Sequence, residues 1–208
     1  MLETVGRKFA RFATNTVVRR PQLWPLFRAP LRRQFDVLAP QWDTMRSAGY
    51  LASFEAALAG VDPPPRRALD VGTGTGAGAV AIARRFPDAE VVGVDLSAAM
   101  VAEARRKLPA ELASRVQYEV ADASRLPYDD DAFDLVALAN MIPFFSEIAR
   151  VLAPQGVVLF AFSGGAGTPI YVPSERLRRE LAPRGFTDFA EIEAGTGTAF
   201  LARRADGH

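Results

Sequence analysis

Along the first forty residues the apolar positions keep helical spacing. Val5, Phe9, Phe12 and Thr16 or Val17 recur at steps of three and four, with Arg7, Lys8, Arg11 and Asn15 largely on other faces. This predicts a helix over 5–17. Pro21, Pro25 and Pro30 then predict short pieces, with a helix resuming over 31–38 and ending near Pro40. A further helix is expected over 44–59, before Gly60.

The pattern changes after the stiff connector Val61-Asp-Pro-Pro-Pro-Arg66. Short apolar runs at 68–71, 91–95, 116–120, 133–139 and 157–162 read as buried strands. Helical stretches at 76–86, 98–108, 145–152 and from Ser174 to about Pro183 separate most of them. Two late strands, 186–193 and 198–203, flank Gly195 and Gly197. Strands alternating with helices imply a doubly wound, Rossmann-like α/β fold with a mostly parallel sheet covered on both faces. The late pair adds a C-terminal antiparallel strand. The expected division is a helical extension or active-site cap over 1–60 and a core over 61–208.

A chain of 208 residues suits one such core. It has no cysteine, which excludes disulfides, thiolate nucleophiles and cysteine-ligated metals. The lone histidine, His208, reads as a frayed tail, so no interior histidine serves as base or ligand and no metal site is expected. The Asp129-Asp130-Asp131 run reads as a solvated turn. Net charge is +1, yet residues 1–40 carry eight Arg or Lys against Glu3 and Asp36. That asymmetry fits a membrane or phosphate contact, or a basic face docking on an acidic core. No reading motif for nucleic acid accompanies it. Neither a membrane-spanning run nor the apolar centre of a secretory signal is visible, and a cytoplasmic protein is expected.

The strongest local signal is Ala68-Leu-Asp-Val-Gly-Thr-Gly-Thr-Gly-Ala-Gly78, a strand feeding a glycine turn and then a helix. Gly72, Gly74 and Gly76 let the backbone approach a ligand, and free N–H groups at the helix start can meet a polar group. The strict dinucleotide rule G-x-G-x-x-G fails from Gly72 at Ala77, and from Gly74 it is met only with Ala79 as the small residue. Asp95 ends the second strand, nineteen residues beyond Gly76, where its carboxylate can accept both hydroxyls of a ribose. Asp122, with Ala123, can address an adenine edge or form an Asx-turn. Asp70 can order the glycine turn or approach a cofactor amino group, and burial requires that it be bonded in either case.

Five segments in order resemble the class I S-adenosylmethionine-dependent methyltransferases. They are Leu69-Asp-Val-Gly-Thr-Gly-Thr-Gly76, Val92-Gly-Val-Asp-Leu-Ser-Ala-Ala-Met100, Ala121-Asp-Ala-Ser-Arg-Leu-Pro-Tyr128, Phe133-Asp-Leu-Val136 and Glu147-Ile-Ala-Arg-Val-Leu-Ala-Pro154. Phe35-Asp-Val-Leu-Ala-Pro-Gln-Trp-Asp43 is similar to the pre-core segment of the ubiquinone and menaquinone type. The resemblance covers roughly residues 35–204 and implies S-adenosylmethionine as cofactor. It implies that Asp70, Gly72, Thr73, Gly74 and Gly76 surround the methionine part and that Asp95 binds ribose. Leu96 and Met100 then pack near adenosine, Asp122 and Ala123 meet adenine, and Asn140 borders the reaction centre. Two departures stand out. Pro154-Gln-Gly156 replaces the frequent Pro-Gly-Gly, and the connector from Asn140 to Glu147 is short.

The implied chemistry is in-line methyl transfer to an oxygen, nitrogen or carbon nucleophile of a small molecule. Near-attack placement supplies roughly 7–11 kcal/mol in favourable intramolecular models. No covalent nucleophile is needed, and Tyr171 is the candidate for positioning an acceptor. The narrow apolar wall around Pro143, Phe144 and Phe145 suits an aromatic or quinone-like acceptor. Trp24, Phe35 and Trp42 read as a lid, an acceptor wall or a fixed packing surface. A peripheral membrane contact through the N-terminal segment and a homodimer stay open, as do a non-catalytic cofactor-binding module and a nicotinamide-dependent oxidoreductase.

Overall fold

The computed structural model describes residues 2–206, with side-chain surroundings from Gly6 onward, so His208 lies outside the described residues. Helices α1 (Leu2–Arg19) and α2 (Trp24–Leu38) lead into a 3-10 turn, Ala39–Met45, and α3 (Ala52–Leu58). The core then alternates β1 (Arg67–Val71), α4 (Ala77–Arg85), β2 (Glu90–Asp95), α5 (Ala98–Lys107) and β3 (Val116–Val120). It continues through β4 (Phe133–Ala139), α6 (Phe145–Val151), β5 (Leu152–Phe162), α7 (Ser174–Leu181), β6 (Phe186–Ala194) and β7 (Gly197–Arg204).

All seven strands form one sheet in the order β3-β2-β1-β4-β5-β7-β6. The first five pair in parallel, and β7 runs antiparallel to both neighbours. Both faces of the inner strands are buried, which is why they read as continuous apolar runs. Leu69, Val71, Val136 and Leu138 share one core with Trp24 and Phe27. Ala68, Val91, Leu135 and Ala137 share the other with Ile82 and Phe54. Strand order reverses between β1 and β4, so the open crevice of the fold lies beyond their carboxyl ends.

Three boundaries differ from the pattern reading. The expected break at Pro25 and Pro30 does not occur, because α2 runs through both. Pro25 sits in the first turn, where no N–H is needed. Pro30 forfeits its bond to the Leu26 carbonyl, but both residues are exposed and water can replace it, while Trp24, Phe27 and Leu31 bury the opposite side. The single helix expected over 44–59 is divided at Gly49, which has a φ of +72°, into the 3-10 turn and the short α3. Strand β5 starts at Leu152 instead of 157 because Ala153–Gly156 bulges out of the β4 pairing. There Gln155 takes a φ of +62° in place of the more usual glycine. The expected aspartate turn is tied down. Asp130 meets Arg150 at 3.0 Å, and Asp131 pairs with Arg204. No helix of the described residues is long and apolar enough to cross a membrane.

Tyr118 locks the glycine turn from below, its Oη donating to the Gly76 carbonyl at 3.1 Å. A Cβ on Gly76 would lie 2.5 Å from that oxygen, at a φ of +91°. Gly76→Ala therefore combines a clash with left-handed strain, a cost of roughly 1–3 kcal/mol. The expected outcome in a thermal melt is a midpoint lowered by about 5 °C. An unchanged midpoint would show that the turn relaxes freely.

Candidate active site

The crevice is built from the turn after β1 and the ends of β2 and β4. Gly72, Gly74 and Gly76 all have positive φ (+74°, +55° and +91°), so the turn needs residues without a Cβ. Its first amides, Gly72 and Thr73, donate to the Val94 carbonyl at 2.8 and 2.9 Å. Asp95 completes the clasp, its two oxygens accepting from the Gly74 and Ser97 amides at 2.9 Å each. Burial pushes the Asp95 carboxyl upward and nearby Asp36 adds to this, against the amide bonds that favour the anion. Each Asp95 oxygen retains a lone pair beyond these bonds.

Asp70 lies underneath. It is buried, accepts from Thr73 Oγ1 at 2.7 Å and is also bonded by the Ala79 amide. A Cβ on Gly78 would come within 2.7 Å of its Oδ2, so this carboxylate packs against the start of α4. Burial raises its pKa to about 6 despite those bonds.

The remaining sequence candidates follow the carboxyl ends of the neighbouring strands, each with its own contacts. Met100 is buried in the first turn of α5, where its amide donates to the capping Ser97 hydroxyl at 3.1 Å. Leu96 packs on the same core as buried Ala123. Asp122 forms the Asx-turn, taking the Ser124 amide and hydroxyl at 2.9 and 2.7 Å. Burial alone would raise its pKa, but bonds from Ser124, Trp24 and Arg28 outweigh it and hold the carboxyl below its ordinary range. Asn140 takes a φ of +52° just past β4 and ties itself to Ser163 after β5, its Oδ1 accepting from the Ser163 amide at 3.0 Å. Tyr171 stacks edge-on against Phe162, ring centroids 5.1 Å apart.

Residues 7–46 reach over these strand ends, whereas α3, expected from the sequence to belong to the same extension, packs on the sheet beside β5, β6 and β7. Trp24 Nε1 donates to Asp122 at 2.9 Å, and Arg28 reaches the same carboxylate at 3.3 Å. Ser97 Oγ donates to Asp36 at 2.5 Å. Asp43 receives Thr75 Oγ1 at 2.6 Å and Lys107 Nζ at 2.7 Å. Arg7 and Arg11 bond the carbonyls of residues 166–168. Trp42, Arg46 and Met141 then lie directly on the glycine turn. A Cβ on Gly74 would meet Trp42 Nε1 and Arg46 Nη2 at 3.3 Å each, and one on Gly72 would meet Met141 Sδ at 2.8 Å. The sequence offers Trp24, Phe35 and Trp42 as a lid, an acceptor wall or a fixed packing surface, and Asp36 and Asp43 only as members of the pre-core segment. Arg46 and Met141 carry no local signal, because their contacts with the turn are distant in the chain.

Trp42 Nε1 is buried without a hydrogen-bond partner. The Arg46 guanidinium stacks over Tyr50 and Trp42, 4.4 and 5.3 Å from the ring centroids, and its Nη2 faces the turn. Two donors thus converge above Gly74, beside an acid at the end of β2. That donor set fits a cofactor with an anionic end and a hydroxylated end, as in S-adenosylmethionine. Met141, with its flexible side chain, is the group that yields. Behind the turn, a separate cavity of about 590 Å³ is lined by Asp43, Arg46, Tyr50, Val80, Lys107 and Tyr118.

A family model described as a methyltransferase domain matches residues 68–156. A malonyl-[acyl-carrier protein] O-methyltransferase of Halorhodospira halophila is 38% identical over 144 residues, 64% of this chain and 48% of that protein. A demethylmenaquinone methyltransferase of Thermus thermophilus is 39% identical over 137 residues, 59% of this chain and 60% of that protein. The chain thus spans about half to three-fifths of these relatives. The crystal structure of an S-adenosylmethionine-dependent methyltransferase from Aquifex aeolicus superposes with a TM-score of 0.67 at 17% identity. It covers 79% of this chain and 97% of that one, a likeness of fold.

The raised Asp70 carboxyl has a signed consequence. The folded state holds its proton more tightly than the unfolded state, so this stability is full below the ordinary carboxyl value of 3.8 and is lost as pH rises through about 6. Urea midpoints for the wild type should fall across that window, with a slope from this group of at most about 1.4 kcal/mol per pH unit. Asp70→Asn should flatten the window. An identical pH profile in the variant would reject the assignment.

Proposed function

We propose that this protein, whose residues 68–156 match the model of a methyltransferase-domain family and resemble the class I S-adenosylmethionine-dependent type, transfers a methyl group to a small-molecule nucleophile. The observation that carries the reading is the convergence of Asp95, the glycine turn, the unpaired Trp42 Nε1 and the Arg46 guanidinium, whose Nη1 meets Asp43 and Tyr50 while its Nη2 faces Gly74, at the β1 end of the crevice. When bound, S-adenosylmethionine supplies a methyl carbon made electrophilic by its sulfonium. Asp95 accepts the ribose hydroxyls through its remaining lone pairs, while Arg46 and Trp42 donate to the methionine carboxylate. Ala123, Leu96 and Met100 provide the apolar surround of the adenine, with Asp122 at its edge.

Residues 1–60 act as a cap on the core of 61–208. With the cap closed, water is kept from the reacting carbon and the acceptor is held in line, which is where most of the rate can arise. Asn140 holds the ends of β4 and β5 together beside the reaction centre, and Tyr171 positions the acceptor from the same wall. The acceptor is an apolar, aromatic or quinone-like molecule. Both the aromatic wall and the demethylmenaquinone methyltransferase relative support that class. We further read the protein as cytoplasmic and in peripheral contact with a membrane through its basic N-terminal segment.

Calorimetry separates the assigned roles. Wild-type protein should bind S-adenosylhomocysteine saturably, and folded protein that binds neither this nor S-adenosylmethionine would overturn the function. Asp95→Asn should weaken both S-adenosylhomocysteine and 5′-methylthioadenosine, which share the ribose. Arg46→Met should weaken S-adenosylhomocysteine by roughly 1.5–3 kcal/mol, the range for a hydrogen bond to a charged group. It should leave 5′-methylthioadenosine, which has no carboxylate, unchanged. Equal losses for both ligands in Arg46→Met would remove the carboxylate assignment. Hydrogen exchange tests the cap: bound S-adenosylhomocysteine should protect amides of residues 21–46, and no change there would make the extension a passive packing element.

A further inference from the structure

The inner side of α2 holds the crevice through Trp24 and Arg28, but its outer side is unusual for a surface helix. Leu26, Pro30, Arg33 and Val37 recur at steps of four, three and four, and all four are exposed. Leu26 and Val37 are 69% and 70% exposed, and Phe12 of α1, edge-on to Phe27, is 61% exposed. With Met45, these make up four of the five large apolar side chains exposed among the described residues. They coincide with the basic part of the chain. Arg19, Arg20, Arg32 and Arg33 are exposed and form no ion pair among the described residues. The acid within the same stretch, Asp36, is turned inward to Ser97.

We propose that the outer face of α2, with Phe12 and the surrounding arginines, docks on an anionic lipid bilayer. This deepens the peripheral contact read above, and rests on it, by naming the surface and the headgroup charge. Helix α2 is long enough to lie about 22 Å along a membrane plane. Leu26 and Val37 lie along one exposed side of the helix with Arg33 between them, a pairing of apolar and basic residues that suits the interface of an anionic membrane. The arginines around them complement anionic headgroups, and their long stems reach past the apolar side chains to the phosphates. Because the opposite side of the same helix covers Asp122, docking would set the cap against the bilayer. An apolar acceptor dissolved in lipid then lies next to the element that must open to admit it.

Sedimentation of the full chain with vesicles tests this. Vesicles of phosphatidylcholine with phosphatidylglycerol should carry the protein down at about 0.1 M salt, and pure phosphatidylcholine should carry much less. Arg32→Glu with Arg33→Glu should lower anionic-vesicle association about tenfold or more. Leu26→Ser with Val37→Ser should lower it severalfold even at low salt, where charge attraction is strongest. These side chains are exposed, so thermal midpoints and S-adenosylhomocysteine affinity should match the wild type, which keeps the outcome independent of the methyl-transfer reading. No association with anionic vesicles, or equal association of wild type and both variants, would overturn the proposal. So would binding to a soluble acidic protein without binding to vesicles.

Discussion

The clasp at Asp95 is the constraint on which the crevice depends. One carboxylate joins the glycine turn after β1 to the helix start after β2, through the Gly74 and Ser97 amides. It holds Gly74, the middle one of three glycines at positive φ, whose amide has no other partner among the described bonds. Asp70 supports the same turn from inside the sheet, and Tyr118 from below. Three polar side chains, all substantially buried, therefore set the shape of a loop that has almost no side chains of its own. The cost appears in the raised carboxyls of Asp70 and Asp95.

The N-terminal extension is held by charge and hydrogen bonding as much as by apolar packing. Core acid meets cap base at Asp122, and cap acids meet core partners at Ser97, Thr75 and Lys107. Most of these contacts are partly exposed, where individual ion pairs contribute little. The apolar anchors Trp24, Phe27 and Leu31 fix α2 on the core, and the 3-10 turn with Trp42, together with Arg46 just after it, stands over Gly74.

This division also bears on specificity. The part matched by the methyltransferase family is the central sheet, residues 68–156, which carries the cofactor-side features. Relatives of comparable identity are named for different acceptors, a malonyl-[acyl-carrier protein] in one and demethylmenaquinone in another. A shared fold therefore does not fix the acceptor.

The core was legible because its signals are local. Strand runs at 68–71 and 133–139 came out within a residue of the structure because strands buried on both faces are largely apolar, and the edge strand 116–120 because its buried and exposed residues alternate. The glycine turn and Asp95 follow from backbone conformation and from position at a strand end. Short-range rules failed where tertiary packing outweighed them. Pro25 and Pro30 did not stop α2, because burying Trp24, Phe27 and Leu31 offsets a lost bond of about 3 kcal/mol or more. The bulge at Ala153–Gly156 likewise depends on pairing with β4.

By itself, then, the sequence determined the order of strands and helices, the glycine turn and the acids at the strand ends, all matters of neighbouring residues. Only the tertiary structure decided what faces that turn. Trp42 and Arg46 stand over Gly74, and Trp24 over Asp122, across separations that no periodicity encodes. The physical reason is that hydrogen-bond partners between cap and core are chosen by how the helices pack, and packing is a property of the whole chain.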